Sequence, residues 1–304
     1  MTVYEKKVPS SDGIHTLYGK VFVPDGQVQG IVQIVHGMVE HIDRYEPLMT
    51  ALANAGYVAF GHNHIGHKNS SSDDELGFFG YSDGFRYLVN DTNAFGDAVA
   101  QDYPDKKRYL FGHSMGSFVV RLAVLKNPEK LSGLIICGTG GPNKLSGMGL
   151  VLCNLVTLFK GGKYISKLVY DMAFGKYNER FASENNKNSW ITSDKAELEK
   201  YSNDKYCSFK FTTCALYDLI KLQHVSNKPV WSMAVSKTLP MFLISGECDP
   251  VGDYGEGVTT VYNRLKKENC NVKMKLYSNA RHEILNDFTR GQVIDDILDF
   301  IKHN

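Results

Sequence analysis

The sequence predicts an α/β fold, a mostly parallel sheet covered by helices on both faces. Three observations predict it. Short, continuous, β-branched apolar runs recur along the chain, as buried parallel strands require. Amphipathic helical stretches separate them, and strand–helix alternation builds such a layered sheet. The segment Gly112-His113-Ser114-Met115-Gly116 lies between an apolar strand and a helix, a context that turns a common Gly/Ser pattern into a functional signal.

The elements follow in order. Leu17 to Val23 alternates and reads as an early antiparallel strand, and Gly30 to Val35 as the first buried parallel one. Arg44 to Ala55 reads as a helix ended by Gly56, and Tyr57 to Phe60 as a strand. Ser82 is the expected N-cap of a long helix to about Asp102, with Pro104 beyond its end. Lys107 to Phe111 is the strand before the serine, Ser117 to Leu125 the helix after it, and Leu131 to Cys137 the next strand. The rhythm resumes with a strand at Pro240 to Ser245, a helix at Glu256 to Lys267, a strand at Val272 to Tyr277 and a terminal helix at Val293 to Lys302.

Between 141 and 237 no buried-strand run occurs. Helical patches stand there instead, at Leu150 to Phe159, Ile165 to Ala173, Asp194 to Lys200 and Phe211 to Leu222. The segment is too long for a loop. It is expected to form a cap over the carboxyl ends of the strands, inserted into a core of residues 1–140 and 238–304.

Composition narrows the function. The 304 residues are 43% hydrophobic and 22% charged with a net charge of +1, so charge draws the chain neither to nucleic acid nor to an anionic surface. The six cysteines form no C-x-x-C pair and read as reduced, buried thiols. The first residues lack the apolar run of a signal peptide, and Met148 to Phe159 is too short to span a bilayer, which needs about 20 residues. A cytoplasmic protein is expected.

A serine hydroxyl at neutral pH needs a base within hydrogen-bond reach, and that base needs a carboxylate to fix its tautomer. On such a sheet the partners follow in the order serine, acid, histidine. Ser114 is the candidate nucleophile. Asp249, just after the strand ending at Ser245, is the candidate acid, with Glu247 as the alternative. His282 follows the last strand and is the only histidine between Asp249 and the terminal helix. The oxyanion amides are expected from Met115, which follows the nucleophile, and from Met38, in the loop His36-Gly37-Met38-Val39-Glu40-His41. A rival pattern, His62-Asn63-His64-Ile65-Gly66-His67, has the histidine spacing of a binuclear zinc loop, but Gly66 stands where that loop has an aspartate. No metal and no organic cofactor are expected.

At these residues the chain resembles the monoacylglycerol lipase and lysophospholipase branch of the α/β-hydrolases. His36 to Tyr45 is similar to its HGxxEHxxRY box and Gly112 to Gly116 to its GHSMG elbow. Gly246 to Asp249 is similar to its GxxD acid turn and Arg281-His282-Glu283 to its RHE turn. Asn188 to Asp194 with Phe209 to Thr212 also looks like bacterial members. The family's usual DHxGHGxS reads here as Asn63 to Ser70, with Asn63 for the acid and Lys68 for a glycine, and Ser117 replaces a common glycine after the elbow. This alignment accounts for His64 and His67 without a metal.

The resemblance implies an α/β-hydrolase fold and a serine ester hydrolase acting on monoacyl esters of the monoacylglycerol or lysophospholipid type. The alternative on the same residues is a carboxylesterase for short or aromatic esters. The apolar stretch Leu150 to Phe159, continued by Leu168, Val169, Met172 and Phe174, offers an acyl site, with Leu150, Leu155, Phe159 and Met172 as its candidate lining. The same stretch offers a face for transient contact with a membrane surface.

Overall fold

The computed structural model describes all residues, 1–304. Eight strands form one sheet: β1 (Thr2–Pro9), β2 (Thr16–Val23), β3 (Gly30–Val35), β4 (Tyr57–His62), β5 (Lys107–His113), β6 (Gly133–Cys137), β7 (Met241–Gly246) and β8 (Val272–Tyr277). Their order is β1-β2-β4-β3-β5-β6-β7-β8. β1 and β2 pair antiparallel, β2 joins β4 antiparallel, and every pairing from β4 to β8 is parallel.

The helices are α1 (Glu46–Asn54), α2 (Gly84–Ala100), α3 (Met115–Ala123), α4 (Ser146–Lys160), α5 (Lys167–Phe174), α6 (Lys195–Asn203), α7 (Thr213–Ser226), α8 (Pro229–Ala234), α9 (Glu256–Lys267) and α10 (Arg290–Lys302). Alternate strand residues feed two apolar cores. Ile31, Phe60, Leu110, Ile136 and Leu243 face Phe95 of α2, Val119 of α3 and Val258 of α9. Val32, Ile34, Phe111, Ile135 and Ile244 face Leu48 of α1 and Ile297 of α10. The central strands are therefore apolar on both faces, which is why they read as continuous hydrophobic runs.

Only helices lie between β6 and β7. Cys153 of α4, Val169 of α5 and Ala215 and Leu216 of α7 join the first core, so the insertion shares its interior with the sheet. Its C-terminal end is anchored by Arg121, which is buried in α3. The guanidinium donates to Thr139 Oγ1 at 3.3 Å and Asn227 Oδ1 at 3.1 Å and lies over the Trp231 ring, 4.3 Å from its centroid.

The structure corrects several expectations. β1 was not anticipated: most of it is exposed at the sheet edge, so it carries no apolar alternation. α1 starts at Glu46 rather than Arg44, because a 3-10 turn occupies Ile42–Tyr45 and Pro47 enters at the start of the helix. α3 starts at Met115 rather than Ser117, directly behind the serine. Helix α8 was also not anticipated. Ser82 is not the N-cap of α2: Asp83 holds that place in the left-handed region at φ 53°, and its side chain makes no capping bond. The Asp218 carboxylate of α7 lies against the start of α2 instead, its Oδ2 2.4 Å from where a Cβ on Gly84 would stand.

Candidate active site

Ser114 sits between β5 and α3 with φ 53° and ψ −119°, a conformation that a residue bearing a Cβ rarely adopts. The flanking glycines make it attainable. A Cβ on Gly116 would stand 2.2 Å from Val35 O, and one on Gly112 2.4 Å from Gly116 O. Ser114 N donates to Cys137 O at 3.0 Å, tying the turn to the end of β6. The side chain is half-buried and its hydroxyl bonds to no protein group. Ser117, the departure noted after the elbow, donates its hydroxyl to Ser114 O at 2.5 Å and braces the turn.

Asp249 is fully buried in the turn after β7, while Glu247 points into solvent. His282 Nδ1 donates to Asp249 Oδ1 at 2.9 Å. The other carboxylate oxygen accepts from Ser245 Oγ at 3.2 Å, and Oδ1 accepts from Val251 N at 2.8 Å. Burial alone would raise the Asp249 pKa, but the facing His282 and the Val251 amide hold it below the usual range. With Nδ1 engaged, His282 Nε2 is left for another partner. A Cβ on Gly138 would touch the His282 ring at 3.3 Å, so Ser114 and His282 both border the Cys137–Gly138 turn.

The loop after β3 lies beside the elbow. Gly37 N donates to Glu40 Oε1, and Val39 N donates to His67 Nε2 at 3.3 Å with Val39 at φ 54°. Between them, the Met38 amide donates to no protein group, and neither does the Met115 amide at the N-terminus of α3. Both are amides of the kind that hold a developing oxyanion.

His36, His62, His64 and His67 are buried behind this loop. His36 and His64 have ring centroids 4.3 Å apart and His36 and His67 5.0 Å apart. His36 and His67 engage the backbone through both ring nitrogens, His36 Nε2 accepting from His64 N at 3.0 Å, whereas neither nitrogen of His62 has a hydrogen-bond partner. Burial pulls His64 down to about 4 and His67 to about 3, so these rings are neutral at pH 7. Asn63 also serves the backbone, its Oδ1 accepting from Ile42 N at 2.9 Å. Lys68, at φ 42°, holds the left-handed conformation that favours glycine, and its ammonium pairs with Asp43. The donor atoms of His41, Asp204 and Cys207 lie within 4.8 Å of one another, the one such cluster in the chain. Lys68 Nζ stands 3.3 Å from His41 Nδ1 and Arg44 Nη1 3.7 Å from Cys207 Sγ, so two cations already occupy that corner.

The insertion reaches the histidine turn through residues 184–193. Arg281 donates to Ser189 O at 2.6 Å and pairs with Glu184, and Glu283 N donates to Ile191 O at 2.8 Å. The Trp190 ring lies 5.2 Å from the His282 ring and 5.1 Å from Tyr177. The residues proposed for an acyl site do not share one environment. Leu150 is half-buried against the first core, whereas Leu155 and Phe159 are 49% and 78% exposed and Met172 is 42% exposed.

Sequence reasoning gave no role to Glu40, His113 or Trp190. Each lies inside a quoted motif, but its contacts join segments far apart in the chain.

A strained serine between a parallel strand and a helix, an acid and a histidine after the last two strands, and a helical insertion together define an α/β-hydrolase. The chain belongs to the hydrolase family described as "Serine aminopeptidase, S33", which matches residues 26–289, and it is a hydrolase enzyme. A highly thermostable carboxyl esterase from Bacillus coagulans, solved in complex with glycerol, is 31% identical with a TM-score of 0.94, covering 100% of this chain and 99% of that one. The monoacylglycerol lipase of Mycolicibacterium smegmatis is 25% identical over 95% of this chain and 93% of its own length. Human monoglyceride lipase is 26% identical over 90% of this chain and 81% of its own length. No helix is long and apolar enough to cross a membrane.

Proposed function

We propose that the chain hydrolyses monoacyl esters of the monoacylglycerol or lysophospholipid type through an acyl-enzyme on Ser114. The observation that carries this reading is the His282–Asp249 pair beside a strained, unpartnered serine. Ser114 Oγ attacks the carbonyl carbon and its proton passes to His282 Nε2. The Met38 and Met115 amides hold the oxyanion. Collapse of the tetrahedral intermediate breaks the ester C–O bond, and His282 returns the proton to the leaving alcohol. Water then attacks the acyl-enzyme, with His282 again as base, and frees the fatty acid and Ser114.

The substrate class is supported by the lipase names of relatives matched over most of their length and by the glycerol bound to the esterase relative. That relative, at 31% identity, equally favours a second reading, a carboxylesterase for short or aromatic esters on the same residues. Residues 141–237 act as a cap on the core of residues 1–140 and 238–304, with Leu150, Leu155, Phe159 and Met172 on the acyl side. The exposed apolar residues Met148, Val151, Leu158, Phe159 and Leu168 stand among the exposed Lys144, Lys160, Lys163 and Lys167. They supply a face for transient contact between a cytoplasmic enzyme and a lipid surface. Hydrolysis of monoacylglycerols, lysophospholipids and p-nitrophenyl esters from acetate to laurate by wild type and Ser114→Ala tests the proposal. Monoacyl lipid turnover lost in the variant supports it, and turnover confined to short esters installs the second reading.

A further inference from the structure

We propose that Glu40 is a positioning residue: one of its carboxylate oxygens locks together the three loops that carry the oxyanion amides, the nucleophile and the base. This rests on the ester hydrolase reading of the site. Glu40 is 2% exposed. Its Oε1 accepts from Gly37 N, from Tyr45 Oη at 2.9 Å and from His113 Nδ1 at 2.9 Å. Gly37 precedes Met38, and His113 precedes Ser114. The far side of the His113 ring completes the chain, with Nε2 donating to the main-chain carbonyl of His282 at 3.3 Å and the two rings 4.8 Å apart.

The geometry fixes the protonation of His113. Both ring nitrogens face oxygens that only accept, a carboxylate and a carbonyl, so only the doubly protonated ring satisfies both. Burial opposes charge on both partners. The His113 charge nonetheless holds Glu40 below the usual carboxylate range, helped by Arg44 and the Gly37 amide, and Glu40 in turn raises His113. The other groups facing the pair are arranged to keep it. Arg44 Nε lies 3.9 Å from Glu40 Oε2, and Arg44 also pairs with Glu283, which accepts from Asn286 Nδ2 at 3.0 Å. Glu40 Oε2 accepts no hydrogen bond, so the carboxylate is committed through Oε1 alone.

A glutamine at this position keeps the shape and removes the charge. Its carbonyl oxygen turns toward the three donors, because its amide would otherwise meet them as a fourth. His113 then keeps its Nδ1 proton and loses the one on Nε2. Two lone pairs face each other at the His282 carbonyl, and the base moves relative to Ser114. A displacement of this order costs roughly a hundredfold in rate while leaving ground-state binding alone.

The test combines kinetics with the state of the ring. Wild type, Glu40→Gln, His113→Asn and the double variant are assayed on p-nitrophenyl butyrate. We expect each single variant to lose about a hundredfold in kcat with KM within about threefold, and the double variant to fall little further, because both changes break one lock. In ¹⁵N spectra at pH 8, the signal absent from His113→Asn should report two protonated ring nitrogens in wild type and one in Glu40→Gln. Unchanged kcat in Glu40→Gln, losses that multiply in the double variant, or a singly protonated His113 in wild type would overturn the proposal. If Glu40→Gln does not fold, the wild-type ring signal and Tyr45→Phe decide. Tyr45→Phe removes one donor and keeps the charge, so the imidazolium should persist with a several-fold lower kcat, and a neutral ring or unchanged kcat refutes the lock. A wild type inactive on every ester refutes the hydrolase reading instead, and the ring signal still judges the lock.

Discussion

At Asp249 and Glu247, two acidic residues in one turn share a sequence context and differ in what they touch. Asp249 is buried and bonded to His282, and Glu247 is exposed. Replacing Asp249 by Asn leaves the shape but favours the wrong tautomer of His282. We expect Asp249→Asn to lower kcat by about 10³-fold or more and Glu247→Gln to change it by less than about twofold, measured on a p-nitrophenyl ester. The reverse ranking would move the acid to Glu247. The proposed triad of Ser114, Asp249 and His282 was legible in the sequence because chemistry, fold and chain order each constrain it separately. Glu40 and His113 were not, since their partners lie in other loops and no local pattern records a contact across the sheet.

Element by element, legibility follows apolar patterning. β3 and β8 carry the expected limits, β3 because its continuous apolar run stops at polar turns and β8, an edge strand, because Val272, Met274 and Leu276 alternate with lysines. β1 escaped notice since an edge strand needs only backbone partners, and its Lys6 and Lys7 look like loop. The cap of α2 escaped for a different reason. The carboxylate beside its N-terminus, Asp218, lies more than a hundred residues downstream. Helix α4 has an apolar outer face on which Leu155 and Phe159 stand exposed. If that face meets the acyl chain, each buried methylene contributes about 0.8 kcal/mol. With half of that realised in the transition state, roughly four extra methylenes separate good from poor substrates by about fifteenfold. Leu155→Glu should therefore slow decanoate hydrolysis and spare acetate. Equal loss on both would make α4 a packing element only.

Over the whole molecule, the join between insertion and core carries a titrating group. Asp218 is pushed up to about 7 by burial, with repulsion from Asp83 added and the Gly84 and Phe85 amides opposing. The folded state thus binds a proton that the unfolded chain, with a carboxylate pKa of about 3.9, has released. The stability contributed by Asp218 falls as pH rises from about 4 to about 7 and is flat beyond. Asparagine keeps the shape and an acceptor oxygen beside these amides without the charge. We expect Asp218→Asn to raise Tm over wild type, and to raise it more at pH 8 than at pH 5. A gain that is equal at the two pH values, or larger at pH 5, would mean that Asp218 is ionised at little cost.

The central claim is that Ser114 is the nucleophile. Labelling with a fluorophosphonate, followed by mass spectrometry of the peptides, tests it most directly. We expect one adduct per chain, on Ser114, with ester hydrolysis lost in step with labelling, and a rate of labelling that collapses in His282→Ala. An adduct on another residue, or full hydrolysis by a chain labelled at Ser114, would contradict it.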